Sequence, residues 1–152
     1  MKVAVVGAGS MGGMHAELLG GMEAVGGLYV VDADASRADE VARRAGGRAV
    51  TFAEAVDAAD AIIIATPPEH HRADVETALD AGRHVLCEKP LTDALDSTIA
   101  LTRRIEEEGA HVEVGFQRRH DAGFISARAA TGGRLHLLKL TAHDPLVTPR
   151  PT

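Results

Sequence analysis

With 152 residues, 45% of them apolar and 25% charged, the chain has the size and balance of one globular domain that buries roughly two-thirds of its unfolded surface. A net charge of −6, with no basic cluster beyond a pair, argues against a nucleic-acid partner, and no apolar run reaches the length of a membrane span. The single cysteine, Cys87, excludes an internal disulfide and, with no signal-peptide pattern at the N-terminus, points to the cytoplasm.

The chain opens on a β-branched run, Lys2 to Val6, followed at once by Gly7-Ala8-Gly9-Ser10-Met11-Gly12 and an amphipathic segment. Strand, glycine turn and helix in that order are the setting of a dinucleotide-binding fingerprint. Gly7 permits the tight turn, Gly9 lets the backbone approach a pyrophosphate, and Gly12 lets the helix pack on the strand. The helix start at Ser10 and Met11 offers its N–H groups to phosphate. Met11, Met14 and Leu18 fall at helical spacing and are expected to face the sheet. Leu28 to Val31 reads as a second strand, and Asp32 follows it, twenty residues after Gly12. A carboxylate there accepts the ribose hydroxyls and repels a 2′-phosphate, which selects NAD over NADP. Its plainer reading is a helix cap, a job for which Asp34 or Ser36 is better placed.

A helix from Ser36 to Ala45 is expected next, capped by Ser36, with Val41, Ala42 and Ala45 inward. Arg48 to Val50 is a short third strand, and Thr51 caps a brief helix to Ala58. Ala61 to Ala65 is a continuous apolar run, the mark of a parallel strand buried on both faces. Thr66-Pro67-Pro68-Glu69-His70-His71 then opens a helix to about Ala81. His84 to Cys87 is a fifth strand, with Glu88-Lys89-Pro90 at its end and Pro90 a candidate for a cis bond. Thr92 or Asp93 starts a helix with Leu95, Ile99 and Ile105 inward, and His111 to Val114 is a sixth strand.

This alternation implies right-handed βαβ units around an α/β, doubly wound parallel sheet. Ligands of such sheets sit outside the carboxyl ends of the strands. That rule alone gathers the glycine turn, Asp32, Thr66-Pro67, Glu88-Lys89 and the segment after Val114. Lys89 reads either as a general base or as a loop lysine with a solvated head; His71 reads equally as a cofactor neighbour or a surface histidine. No His, Cys or Asp grouping has zinc-ligand spacing, so no metal is expected. Past Gly115 the pattern changes: a helix to about Ala130, a strand from Arg134 to His143, and a proline-rich ending.

Taken together, G-A-G-S-M-G at 7–12, Asp32, T-P-P-E-H-H at 66–71, G-R-H-V-L-C-E-K-P at 82–90 and G-F-Q-R-R-H-D at 115–121 resemble the glucose–fructose oxidoreductase/inositol dehydrogenase (Gfo/Idh/MocA) family. F-Q-R-R-x-D followed by A-H-D-P at 142–145 looks most like its inositol dehydrogenase branch. The resemblance implies a Rossmann domain over residues 1–117 and, over 118–152, the truncated start of a second α/β domain for substrate and oligomerisation. It implies Lys89 as the base that takes a proton from a substrate hydroxyl while hydride leaves the same carbon for NAD. Thr66, Pro67 and Glu88 would flank the nicotinamide ribose, with His71 beside them. Gln117, Arg118, His143 and Asp144 would face a polyol or sugar. An Asp and a His that complete the proton relay in this branch would lie past Pro145, so the chain is expected to be catalytically incomplete, and the full-length protein a homo-oligomer. Two other readings share these motifs: an NAD-binding module without chemistry, and an NAD-dependent glycoside hydrolase of the same family.

Overall fold

The computed structural model describes residues 1–130. The chain divides into two units, Met1–Phe116 and Gln117–Thr152. The first contains six strands, β1 (Lys2–Val6), β2 (Gly27–Val31), β3 (Arg48–Ala49), β4 (Ala61–Ile64), β5 (His84–Cys87) and β6 (Val112–Val114). Between them run α1 (Ser10–Gly20), α2 (Ala35–Ala45), α3 (Phe52–Ala58), α4 (Pro68–Asp80) and α5 (Leu95–Glu108). All strands pair parallel in the order β3-β2-β1-β4-β5-β6, so the winding direction reverses between β1 and β4. This is the Rossmann-type sheet expected from the alternation of apolar runs and helical segments.

Alternating side chains of each strand feed two cores. Val3, Val5, Leu28, Val30 and Ile63 pack against Ala16 of α1 and Ala38, Val41, Ala42 and Ala45 of α2. Ala4, Val6, Ile62, Ile64, Val85 and Cys87 pack against Val56 of α3, Val75, Ala78 and Leu79 of α4 and Leu101 of α5. Burial on both faces is why β4 reads as an unbroken Ile run.

Two helix faces differ from expectation. Met11, Met14 and Leu18 are 42%, 46% and 57% exposed, and the buried face of α1 is Gly12, Gly13 and Ala16. The helix lies so close to β1 that a Cβ on Gly12 would stand 1.7 Å from the Gly7 carbonyl oxygen, which leaves room only for small residues. In α5, Leu95 and Ile99 are exposed and Leu101 forms the buried contact, with Ile105 partly buried. That helix starts at Leu95, because the Thr92 hydroxyl turns inward, donating to Ala94 O at 2.8 Å and meeting the Thr98 hydroxyl at 2.7 Å. Asp34, not Ser36, caps α2, accepting from the backbone N–H groups of Ser36 and Arg37. Thr51 caps α3 as expected, in a reciprocal capping box with Glu54. No helix of the described residues is long and apolar enough to cross a membrane.

In the second unit, a 3-10 turn (Gln117–His120) leads into α6 (Ala122–Ala130). The strand expected over 134–143 lies outside the described residues.

Candidate functional site

The chain leaves the sheet at the carboxyl ends of β1, β2, β4 and β5, and there polar residues replace the apolar runs. β1 ends in a turn fixed by Gly7 N–H donating to Val31 O at 2.8 Å and Ala65 N–H donating to Val6 O at 2.8 Å. Gly7 has φ +94°, and a Cβ there would meet the Ala65 carbonyl at 2.6 Å, so the turn takes only glycine. Gly7, Gly9, Ser10, Met11, Asp32, Thr66 and Pro67 line one cleft of about 800 Å³, joined by Asp34, Arg37 and His70. Gly12 lies beneath its floor, buried in the α1–β1 contact.

Two features test whether a dinucleotide fits. No side chain caps α1, and its first turn carries no acid, so the N-terminal N–H groups and the positive end of the helix dipole stay available to an anion. A Cβ on Gly9 would meet nothing within 4 Å. Gly7 and Gly12 are required by the protein's own backbone; Gly9 is not, and it borders the cleft. A glycine without an internal reason, at the point where a pyrophosphate would touch the backbone, fits the ligand's close approach.

Asp32 is held firmly. Its Oδ2 accepts from Ala8 N–H at 2.7 Å and its Oδ1 from Asp34 N–H at 2.9 Å, and its side chain is only 10% exposed. It therefore does not cap α2. Asp34 does, and the Ser36 hydroxyl together with the Arg37 N–H holds its carboxyl below the ordinary range. The Arg37 guanidinium stands 3.9 Å from Asp32 Oδ2 and 3.5 Å from Asp34 Oδ2.

At the next strand ends, the Thr66 hydroxyl donates to Asp74 Oδ2 at 2.7 Å. His71 is 1% exposed, with Nδ1 2.7 Å from Pro90 O and Nε2 2.7 Å from Thr66 O. With both ring nitrogens occupied in this way, His71 straps the β4 loop to the Lys89-Pro90 turn instead of turning a nitrogen into the cleft. The Lys89–Pro90 peptide is cis. Glu88 N–H donates to Ile64 O at 2.8 Å, which seats Glu88 and the exposed Lys89 one strand along from Thr66. Glu88 has a partner that sequence reading passed over: its Oε1 lies 2.9 Å from His15 Nε2, and both side chains are mostly buried, at 14% and 19% exposure. The two are 73 residues apart. Only the topology brings the second turn of α1 to the end of β5.

Gln117 and Arg118 belong to the second unit, where the Arg118 guanidinium lies over the Phe124 ring at 5.5 Å. His143 and Asp144 lie outside the described residues. Among the described residues no three His, Cys, Asp or Glu side chains converge as a metal site.

The family model GFO_IDH_MocA, the oxidoreductase family with NAD-binding Rossmann fold, matches residues 1–116. The chain is 39% identical over 160 aligned residues to myo-inositol dehydrogenase Hyg17 of Streptomyces leeuwenhoekii, covering 99% of this chain and 48% of that protein. It is 34% identical to the inositol 2-dehydrogenase of Corynebacterium glutamicum strain R, covering 97% and 47%. The scyllo-inositol dehydrogenase of Lactobacillus casei, crystallised with NAD(H) and scyllo-inositol, superposes with a TM-score of 0.79 at 25% identity, over 86% of this chain and 40% of that one. The chain thus spans about half the length of the curated relatives it matches. On the match across its whole first unit, the chain belongs to the Gfo/Idh/MocA family of oxidoreductases, with that family's NAD-binding Rossmann fold.

Proposed function

We propose that the chain binds NAD across the ends of β1, β2, β4 and β5 and serves hydride transfer between that cofactor and the secondary alcohol of a cyclitol or sugar, inositol-like first. The observation that carries the proposal is the cleft in which the open Gly9 and the pinned Asp32 carboxylate stand together. Asp32 takes the adenosine ribose hydroxyls, and the α1 N-terminus with Gly7, Gly9, Ser10 and Met11 takes the pyrophosphate. Thr66, Pro67 and Glu88 flank the nicotinamide ribose. His15 fixes the Glu88 carboxylate, and His71 fixes the turn that carries Lys89.

Lys89 Nζ, in its neutral form, accepts the proton of the substrate hydroxyl as the alcohol carbon becomes a carbonyl. NAD, when bound, supplies the acceptor for the hydride leaving that carbon. The residues that the family resemblance assigns to the polyol are Gln117 and Arg118, with His143 and Asp144. Support for the substrate class comes from the two curated relatives given above, a myo-inositol dehydrogenase and an inositol 2-dehydrogenase.

The test is calorimetric titration with NADH, followed by NADH absorbance with NAD and a panel of inositols and aldoses. NADH binding is expected of this chain, and turnover on an inositol of a chain as long as its curated relatives, of which this one spans about half. Lys89→Met should lower turnover about a hundred- to ten-thousand-fold, the usual scale of a general base, while NADH still binds. Binding without turnover on any polyol would favour an NAD-binding module. Aglycone release from a chromogenic glycoside without net NADH would favour the hydrolase reading.

A further inference from the structure

His71 is 1% exposed, and each of its ring nitrogens lies 2.7 Å from a carbonyl oxygen, Nδ1 from Pro90 O and Nε2 from Thr66 O. A carbonyl oxygen only accepts, so each nitrogen must donate, and an imidazole has two N–H donors only when it carries both protons. Turning the ring over would set two carbon atoms at the same 2.7 Å, well inside the roughly 3.3–3.6 Å of a C–H···O contact. A neutral ring would press a nitrogen lone pair against an oxygen lone pair in a site closed to solvent, and leave buried acceptors unsatisfied. The counter-charge is close at hand. Asp74 follows one helical turn later in α4, on the same face, and its Oδ2 accepts the Thr66 hydroxyl at 2.7 Å. One threonine thus meets the ring through its carbonyl and the carboxylate through its side chain. At this end of α4, β4 and its loop to Pro67 carry no titratable group, while β5 and its turn carry Cys87, Glu88 and Lys89. The acids nearest the start of α5, Asp93 and Asp96, are exposed.

We propose that His71 is a positioning residue that works as an imidazolium, its two N–H groups clamping the Thr66 and Pro90 carbonyls together. The proposal rests on the NAD reading above, because the loop it clamps, Thr66-Pro67, lines the cleft. With both protons present, one ring spans the ends of β4 and β5 and holds that part of the cleft wall in place. When one proton leaves, the ring keeps a single N–H. One carbonyl then faces a bare nitrogen, and Thr66 and Pro90 part. The cleft wall therefore loosens as pH rises, while Asp32 and the α1 N-terminus, which take no part in the clamp, keep their places.

Nitrogen NMR spectra of the ring, assigned through the residue's own backbone in the chain without nucleotide, read the charge directly. At neutral pH both nitrogens of His71 should carry protons and show the matched shifts of an imidazolium, not the split shifts of a neutral ring. Calorimetric titration with NADH from pH 6 to 9 then compares the wild type with His71→Gln, whose amide does not titrate. Wild-type affinity should fall about three- to tenfold more than that of the variant over this range, the scale of one lost hydrogen bond. His15 and His70 are present in both proteins and cancel in the comparison. A ring with one bare nitrogen at neutral pH overturns the proposal, and so does a pH profile of affinity that is the same in both proteins. If the variant does not fold, the wild-type spectrum decides alone. If NADH binds at no pH, the cofactor reading falls, and the spectrum still decides the clamp.

Discussion

Three glycines in the opening turn are alike in sequence and different in physics. A Cβ on Gly12 would run into the Gly7 carbonyl oxygen at 1.7 Å, backbone against backbone, with no flexible group to yield. Gly12→Ala should therefore lose the α1–β1 contact and several kcal/mol of stability, at or beyond the usual ~1–3 kcal/mol of overpacking. Gly9 has φ −72° and open space around its missing Cβ, so alanine suits both its backbone and its protein neighbours. Gly9→Ala should keep the wild-type melting temperature yet weaken NADH by about ten- to a hundredfold, because the methyl group holds the pyrophosphate off one or two N–H donors. Thermal melting and calorimetric titration of the two variants separate the roles. A stable Gly9→Ala that binds NADH like the wild type would remove the reason given for that glycine. His15 makes the same point from the other side. Nothing in its local sequence marks it, and its meaning comes from Glu88, a residue far along the chain.

At the level of elements, α1 shows where hydropathy misleads. Its buried stripe is Gly12, Gly13 and Ala16, residues that carry little apolar signal, while Met11, Met14 and Leu18 point outward and Leu19 packs partly against the core. Close approach to the sheet selected small residues, and the methionines were left on the open face. Met14→Gln should then shift stability by no more than about 0.5 kcal/mol, whereas Ala16→Leu should cost about 1–3 kcal/mol. Urea denaturation of both checks the assignment, and a large loss from Met14→Gln would mean that the face is wrongly drawn. The strands were legible for the opposite reason. Buried on both sides, Val3 to Val6 of β1 and the isoleucines of β4 read as unbroken apolar runs, and the polar residues after β2, β4 and β5 marked the carboxyl edge of the sheet. Asp32, Thr66, Glu88 and Lys89 could thus be placed from sequence and topology. The choice of Asp34 over Ser36 as the cap of α2 and the strap made by His71 could not, since each turns on a side-chain direction that one sequence leaves open. Long-range polar contacts such as His15–Glu88 stayed hidden because periodicity reports only neighbours on one element.

The molecule as a whole couples its core to the rim of its site at Cys87. This residue is the last of β5, fully buried in the core shared by α3, α4 and α5, and the next residue is Glu88. Its thiol lies 3.3 Å from Glu88 O, and burial first, then the Asp74 and Glu88 carboxylates, push its pKa from an ordinary 9.0 up to about 12. A thiol so placed is a small apolar residue at neutral pH, not a nucleophile. Because the folded chain holds this proton more tightly than the unfolded one, its contribution to stability is complete below pH 9.0 and is lost as pH rises toward 12. The loss over that window is on the order of 4 kcal/mol, at about 1.4 kcal/mol per pH unit. Lysine and tyrosine titrate in the same range, so the measurement is a difference: urea unfolding of the wild type against Cys87→Ala from pH 8 to 11. Any advantage of the wild type below pH 9 should shrink steadily above it, and the native thiol should resist a disulfide reagent at pH 8 until the chain unfolds. A constant gap, or a thiol that reacts at the rate of a free cysteine in the folded protein, would show that the core does not close over β5 at the point where Glu88 and Lys89 leave the sheet.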